Sequence, residues 1–239
     1  ELALELASSG RKLLLIDKHP GGLDQIARLC RDLKAETETF QCDLSTPEIE
    51  GLLSKITDPA STPHELFLIA GVGTRGRVTE TSEEMTLRMI RVNFEARVRL
   101  ARRGAIEMGK RRQGTIVLIS SSSAFQPLPM MGVYAATNSA VLSFGEALAA
   151  EVRNAGIRVL TVCPGGMRTQ FQTNAGVKIL PRDRLANPRE IALSILRTLD
   201  SKRAVLVVGP RSRTMAFLAR ILPRRTQLAL WYHLMAKLR

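Results

Sequence analysis

Three cysteines, Cys30, Cys42 and Cys163, are scattered through 239 residues, which excludes the dense, paired set that staples a small secreted domain. Their spacing carries no metal-ligand pattern. His19, His64 and His233 are isolated too, with no His-Glu-x-x-His motif and no carboxylate cluster, so no metal is expected. No stretch reaches the roughly 18 consecutive apolar residues of a spanning helix, and there is no internal repeat or low-complexity run. What remains is an ordinary globular composition, 45% hydrophobic and 24% charged. A chain of this length can bury one substantial core in one domain, in a reducing, cytoplasmic setting.

The one compositional bias is basic, a net charge of +13. Such a field attracts polyanions, but no nucleic-acid-binding motif accompanies it, and no nucleic-acid partner is expected. Much of the excess falls along 88–112 and from Arg211 onward, both helical in pattern. A solvated helix face accounts for the first.

Hydropathy patterning predicts alternating helices and strands. Helices are expected over 1–9, 23–34, 47–56, 84–110, 134–154 and 188–199, and strands over 12–16, 38–42, 65–70, 114–120, 157–163 and 204–208. Thr81 to Glu84 has capping-box spacing, and Asn187-Pro188 supplies a cap and a first-turn proline. Strands alternating with helices of this length predict parallel crossover units, an α/β, Rossmann-like, doubly wound sheet over 1–209.

Ser121 lies just after the fourth strand and Tyr134 thirteen residues later, at a helix start. With Asn93 in the preceding helix and Asp17, Asp43-Leu44, Gly71, Pro164-Gly165 and Thr169 in order around them, this chain resembles the short-chain dehydrogenase/reductase family. The resemblance implies hydride transfer between a nicotinamide cofactor and an alcohol or carbonyl substrate. In it Tyr134 is the acid/base, Ser121 hydrogen-bonds the substrate oxygen, and Asn93 holds a helix irregularity and a water in the proton path. Asp17 corresponds to the acid that grips the adenosine ribose, implying NAD, with NADP the other nicotinamide form; a turn-forming aspartate is the alternative. Asp43 and Leu44 flank the adenine, and Pro164, Gly165 and Thr169 lie along the nicotinamide. Family members commonly form homo-oligomers through the helices corresponding to 83–110 and 134–154.

The chain departs from the family in three places. The family lysine four residues after the tyrosine is Asn138, which can hydrogen-bond a ribose but carries no charge. A unit charge 4–5 Å from a phenol is worth about 3–4 kcal/mol at an effective dielectric near 20, so a substitute cation is needed, and Arg75, Arg168 and Lys178 are the candidates. Leu68-Ile69-Ala70-Gly71 replaces the family's Asn-Asn-Ala-Gly turn. The Gly-rich pyrophosphate turn and its strand, which belong before the first helix, are lacking, so the sequence reads as N-terminally incomplete. Gly71, Gly73 and Gly76 match Gly-x-Gly-x-x-Gly literally, but no helix follows at once and no acid ends the next strand, so they are not the dinucleotide fingerprint.

Two readings stay open. One is a family oxidoreductase. The other is a catalytically silent binding or scaffold protein. Residues 210–239 read as a basic helical extension, with Leu228, Trp231, Met235 and Leu238 at helical spacing and seven basic residues but no acid. Such a segment suits a membrane surface or ordinary packing. No substrate recognition pattern is legible in 168–184.

Overall fold

The computed structural model describes residues 1–58, 61–177 and 185–236. Helix α1 (Leu2–Ser8) leads into β1 (Leu13–Asp17), α2 (Pro20–Asp32), β2 (Thr37–Gln41), α3 (Ile49–Thr57) and β3 (Glu65–Leu68). Then follow α4 (Glu83–Ile90), α5 (Ala96–Lys110), β4 (Gly114–Ile119), α6 (Gly132–Val152), β5 (Ile157–Pro164) and the short α7 (Phe171–Asn174). The order closes with α8 (Pro188–Thr198), β6 (Val205–Val208), α9 (Pro210–Ile221) and α10 (Arg224–Ala236).

The expected alternation is present, and every strand pairing is parallel. The strands form two sheets, β1-β2 and β3-β4-β5-β6. Between them lies a cavity of about 830 Å³ lined on one side by Leu13 to Ile16 and on the other by Leu66 to Ala70. Arg11 and Glu65 form an ion pair across this division. Leu6 and Ala7 of α1 are buried in a cluster that also gathers Phe67 of β3 and Leu196 of α8. The largest cluster packs α3, α5 and α6 on one face of β3, β4 and β5, through Leu52, Leu100, Ile116, Leu118, Val141 and Val159. Helix α8 packs on the other face, with Ile191 and Ile195 against Val117, Leu160 and Val162. Helices on both faces of a parallel sheet leave the carboxyl ends of the strands open to build a site.

Local chemistry explains where the boundaries fall. Helix α2 starts earlier than its apolar pattern because Pro20 fits the first helical turn, where its missing N–H costs nothing. The cap of α4 is Ser82 and not Thr81, its side chain accepting from the Met85 amide at 3.2 Å. The Asn187 cap is as expected, accepting from the Arg189 amide at 3.0 Å. The predicted long helix from 84 is interrupted by a π-helical turn, Arg91–Glu95, centred on Asn93. Extra residues of that kind are frequent at functional sites.

Helix α6 can lie close to the sheet because Gly145 has no side chain. A Cβ there would sit on the Thr161 hydroxyl and 3.0 Å from Leu118 Cδ1. Gly145→Ala is therefore expected to destabilise the fold by about 1–3 kcal/mol through overpacking, despite the roughly 1 kcal/mol gain in helix propensity. A lower Tm in thermal unfolding checks the sign; a higher Tm would mean that α6 does not rest on β5 here.

The terminal helices fold back on the domain. Ser212, Ala216, Gln227 and Met235 are buried, and the Arg75 guanidinium donates to the Met235 carbonyl at 3.0 Å. Of the helical stripe expected at 228, 231, 235 and 238, Met235 faces inward and Leu228 faces out, while Leu238 lies outside the described residues. The exposed apolar residues are Phe217, Leu218 and Ile221 of α9 with Leu228, Leu230, Tyr232 and Leu234 of α10. No helix among the described residues is long and apolar enough to cross a membrane.

Candidate active site

Tyr134 stands in the first turn of α6, half-buried, where the loop after β4 turns back. Burial pushes its phenol above the ordinary tyrosine value, while the Ser121 side chain, the charge of Arg97 and the Asn138 side chain pull it down. Ser121 opens a single 3₁₀ turn, and its hydroxyl also accepts the Ser123 amide at 3.1 Å. The two residues meet because the parallel sheet presents the end of β4 beside the start of α6. Asn138, buried one turn further, donates to the Tyr134 carbonyl at 2.9 Å, and its own carbonyl accepts from the Ser120 hydroxyl at 2.9 Å.

Asn93 links this pair to the next strand. Its side-chain oxygen accepts from the Val72 amide and its amide donates to the Val72 carbonyl, both at 2.8 Å. The same amide donates to the Thr137 hydroxyl at 3.3 Å, and that hydroxyl donates to the Tyr134 carbonyl at 2.9 Å. One buried side chain therefore holds the loop after β3, the π turn and the start of α6 together.

The phenol ring is walled by residues that the sequence reading did not single out. Phe171 lies 5.2 Å from it, centroid to centroid, in a tilted contact. Gly73 fits against both rings, since a Cβ there would be 2.6 Å from Phe171 Cζ and 3.1 Å from Tyr134 Cδ2. The literal glycine pattern thus has a steric role at Gly73, close approach to the aromatic pair.

Arg97 is the other omission. It is 4% exposed, one turn after Asn93. Its Nη1 donates to the Asn93 carbonyl at 2.6 Å and its Nη2 to the Ala70 carbonyl at 2.7 Å. Burial lowers its pKa to about 10, with Tyr134 acting in the opposite sense, so it stays cationic at neutral pH. A signal was present: Arg97 shares a helix face with the buried Asn93, Leu100, Ala101 and Gly104. A charge among such residues marks a special site. Of the three cations proposed from the sequence, Arg75 is engaged with Met235, Arg168 is exposed, and Lys178 lies outside the described residues.

The residues assigned to a cofactor are spread along the carboxyl ends of both sheets. Asp17 ends β1 and is exposed, one oxygen accepting the His19 amide at 2.9 Å, so the turn role is present in addition to any ribose role. Burial would raise the Asp43 carboxyl, but the Ser45 hydroxyl and amide and the Lys18 and Arg88 charges hold it below the usual range. Leu44 leans into the large core cluster. Gly71 is exposed after β3. Pro164 is buried at the end of β5 and Gly165 is so close to α9 that a Cβ would lie 2.6 Å from Ser212 Oγ. Thr169 is exposed, its hydroxyl 3.3 Å from Gln172 Oε1. Ser121, Tyr134, Asn138 and, through Thr137, Asn93 thus gather around the start of α6, while Asp17, Asp43 and Leu44 lie at or just after the ends of β1 and β2 of the other sheet.

Comparison with known proteins places these features in context. The family model described as short chain dehydrogenase matches residues 1–179. Dehydrogenase/reductase SDR family member 7B from Bos taurus is 28% identical over 254 residues, covering 99% of this chain and 76% of the relative. Estradiol 17-beta-dehydrogenase 11 from Mus musculus is 25% identical over 227 residues, covering 93% and 75%. Of matched Mycobacterium relatives the chain spans 41% of the length. Among solved structures, a short-chain dehydrogenase from Sphingobium yanoikuyae in complex with NADPH superposes with a TM-score of 0.83 at 27% identity, covering 92% of this chain and 87% of that one.

Proposed function

The chain belongs to the short-chain dehydrogenase/reductase family, and from that premise we propose that it is a nicotinamide-dependent oxidoreductase acting on an alcohol or carbonyl compound. The observation that carries this reading is the placement of Ser121, just after β4, beside Tyr134 in the first turn of α6, where Ser121 acts on the phenol, so that two hydroxyls can face one substrate oxygen. In reduction, a dihydronicotinamide supplies the hydride to the carbonyl carbon. Ser121 hydrogen-bonds the carbonyl oxygen, and Tyr134 gives that oxygen its proton as the C–O double bond becomes single. Oxidation reverses the proton movement. Gly71, Pro164, Gly165 and Thr169 would hold the nicotinamide end, and Asp17, Asp43 and Leu44 the adenosine end.

NAD is the form proposed, because Asp17 presents a carboxylate where NADP would bring a phosphate, and like charges at that distance repel. Asp17→Ser is expected to raise the affinity ratio of NADPH to NADH by about tenfold or more, read by calorimetry with each cofactor. An unchanged ratio would leave Asp17 with its turn role alone. The oxidoreductase reading itself is tested by incubating the full-length protein with dihydronicotinamide and a panel of ketones and aldehydes. Cofactor consumption matched by alcohol formation supports it. Binding without turnover favours the silent alternative, for which Asn138 in place of lysine is the argument.

The exposed apolar residues of α9 and α10, set among Arg211, Arg213, Arg220, Arg224 and Arg225, support contact with an anionic membrane surface. Sedimentation with acidic vesicles is expected to fall by about tenfold when Phe217, Ile221 and Leu230 become serine, and equal partitioning would count against a membrane role. Homo-oligomerisation through α4, α5 and α6 is proposed on family grounds and is read by analytical ultracentrifugation.

A further inference from the structure

Arg97 is a buried cation, and among the described residues it makes no ion pair with a carboxylate. Its partners are backbone carbonyls of Asn93 and Ala70, and its Nε is buried without a hydrogen-bond partner. Burying a charge on those terms is unfavourable. A neutral side chain of similar length would fill the space at lower cost, which is a reason to look for what the charge does. Gly71 leaves it room, since a Cβ there would stand 3.2 Å from Nη2.

Tyr134 flanks the same short loop: a Cβ at Gly73, two residues after Gly71, would be 3.1 Å from Tyr134 Cδ2. Asn93, whose carbonyl accepts from Arg97, is bonded to Val72 between those glycines and reaches the Tyr134 carbonyl through Thr137. Ser121 approaches the phenol from the loop after β4, Asn138 from α6, Phe171 from α7 and Gly73 from the loop after β3. None of these is a cation. Arg97, from α5, is a cation, and its charge favours the ionised phenol. A phenol in apolar surroundings resists deprotonation, and a nearby positive charge offsets that resistance.

We propose that Arg97 supplies, from the helix after Asn93, the positive field on Tyr134 that an asparagine at 138 cannot supply. The site therefore keeps a cation for its tyrosinate but moves it from α6 to α5. Arg97 is a positioning residue acting through Tyr134, without contact to substrate. This inference rests on the oxidoreductase reading for its use, while its physical content, a charge that tunes one phenol, stands apart from turnover. The competing role is structural: the guanidinium braces the Ile69 and Ala70 carbonyls, at and just after the positions where Leu68 and Ile69 replace the family's asparagines.

Spectrophotometric titration separates the two. With every tyrosine but Tyr134 changed to phenylalanine, Tyr232 among them, the tyrosinate absorbance reports Tyr134 alone, with no cofactor or substrate present. Arg97→Gln is expected to raise the Tyr134 midpoint by about one unit or more. Arg97→Lys should hold it near the parent value, although lysine cannot reproduce the forked bracing. The double variant Arg97→Gln/Asn138→Lys should return it to near the parent. A folded Arg97→Gln protein whose midpoint stays within about 0.3 unit of the parent overturns the proposal.

A second measurement does not require Arg97→Gln to fold. Asn138→Lys in the otherwise unchanged protein adds a second cation to a site that already has one, so kcat/KM for ketone reduction is expected to rise less than about threefold. A gain of tenfold or more, at least about a third of the effect of one full charge on a free-energy scale, would mean that Arg97 supplies no useful field. Absence of turnover in every variant, together with the expected titration shifts, would sink the oxidoreductase reading and leave the electrostatic assignment intact.

Discussion

Tyr134→Phe is expected to lower kcat for carbonyl reduction by about a thousandfold, within the 10²–10⁴ range of general acid catalysis, while cofactor affinity changes by less than about threefold. The substitution removes one oxygen and leaves the ring. Phe171 keeps its aromatic contact and Gly73 its close approach, since both touch ring carbons. The helix is also untouched: Thr137 and Asn138 donate to the Tyr134 backbone carbonyl, which the substitution leaves in place. Fold and cleft shape are therefore preserved, and the loss isolates proton transfer. Without the phenol, Ser121 still hydrogen-bonds the substrate oxygen but has no comparable acid beside it. Steady-state kinetics with calorimetric cofactor binding checks both halves, and a kcat within threefold of the parent would remove Tyr134 from the chemistry.

Asn93→Leu is expected to cost about 3–5 kcal/mol of stability. The leucine has nearly the same shape, so packing changes little, but the Val72 amide and carbonyl each lose a partner held at 2.8 Å. An unsatisfied buried backbone group costs about 1–3 kcal/mol, and the contact with Thr137 is lost as well. For a chain of this size that corresponds to a Tm lower by roughly 10 °C or more. Activity should fall further than stability explains, because the loop from Gly71 to Arg77 and the first turn of α6 share this one anchor. Thermal unfolding with residual activity measured well below the transition tests it. A Tm within about 2 °C of the parent would mean that water replaces the lost partners.

The alternation of strands and helices was readable because apolar runs, caps and prolines are local signals. Ser121, Tyr134 and Asn93 were singled out by resemblance to the family, and the fold sets Ser121 and Tyr134 at the two ends of the loop from β4 to α6. The identity of the cation near Tyr134 was not readable. Arg97 is 37 residues before Tyr134, and parallel crossover topology, not sequence proximity, brings α5 against the start of α6. Phe171 escaped notice for the same reason, arriving from the segment after β5. The helix irregularity that the resemblance implies at Asn93 is the π turn Arg91–Glu95, although a 3.6-residue period alone does not reveal it. The cap at Ser82 in place of Thr81 shows the limit of a spacing rule when two hydroxyl residues are adjacent. The stripe on the last helix failed differently: the period was right, but one half of the face packs inward at Met235, where tertiary contact decides.

The pH dependence of kcat/KM for ketone reduction by the unaltered full-length protein tests the central claim, that the Tyr134 phenol is the proton donor, most directly. Reduction needs the protonated phenol, and burial raises its pKa above the ordinary value despite Ser121, Arg97 and Asn138. The rate is therefore expected to stay level through neutrality and to fall only once the pH passes the ordinary tyrosine range near 10, with no such fall in Tyr134→Phe. A fall between about pH 6 and 8, or the same alkaline fall in Tyr134→Phe, would contradict it.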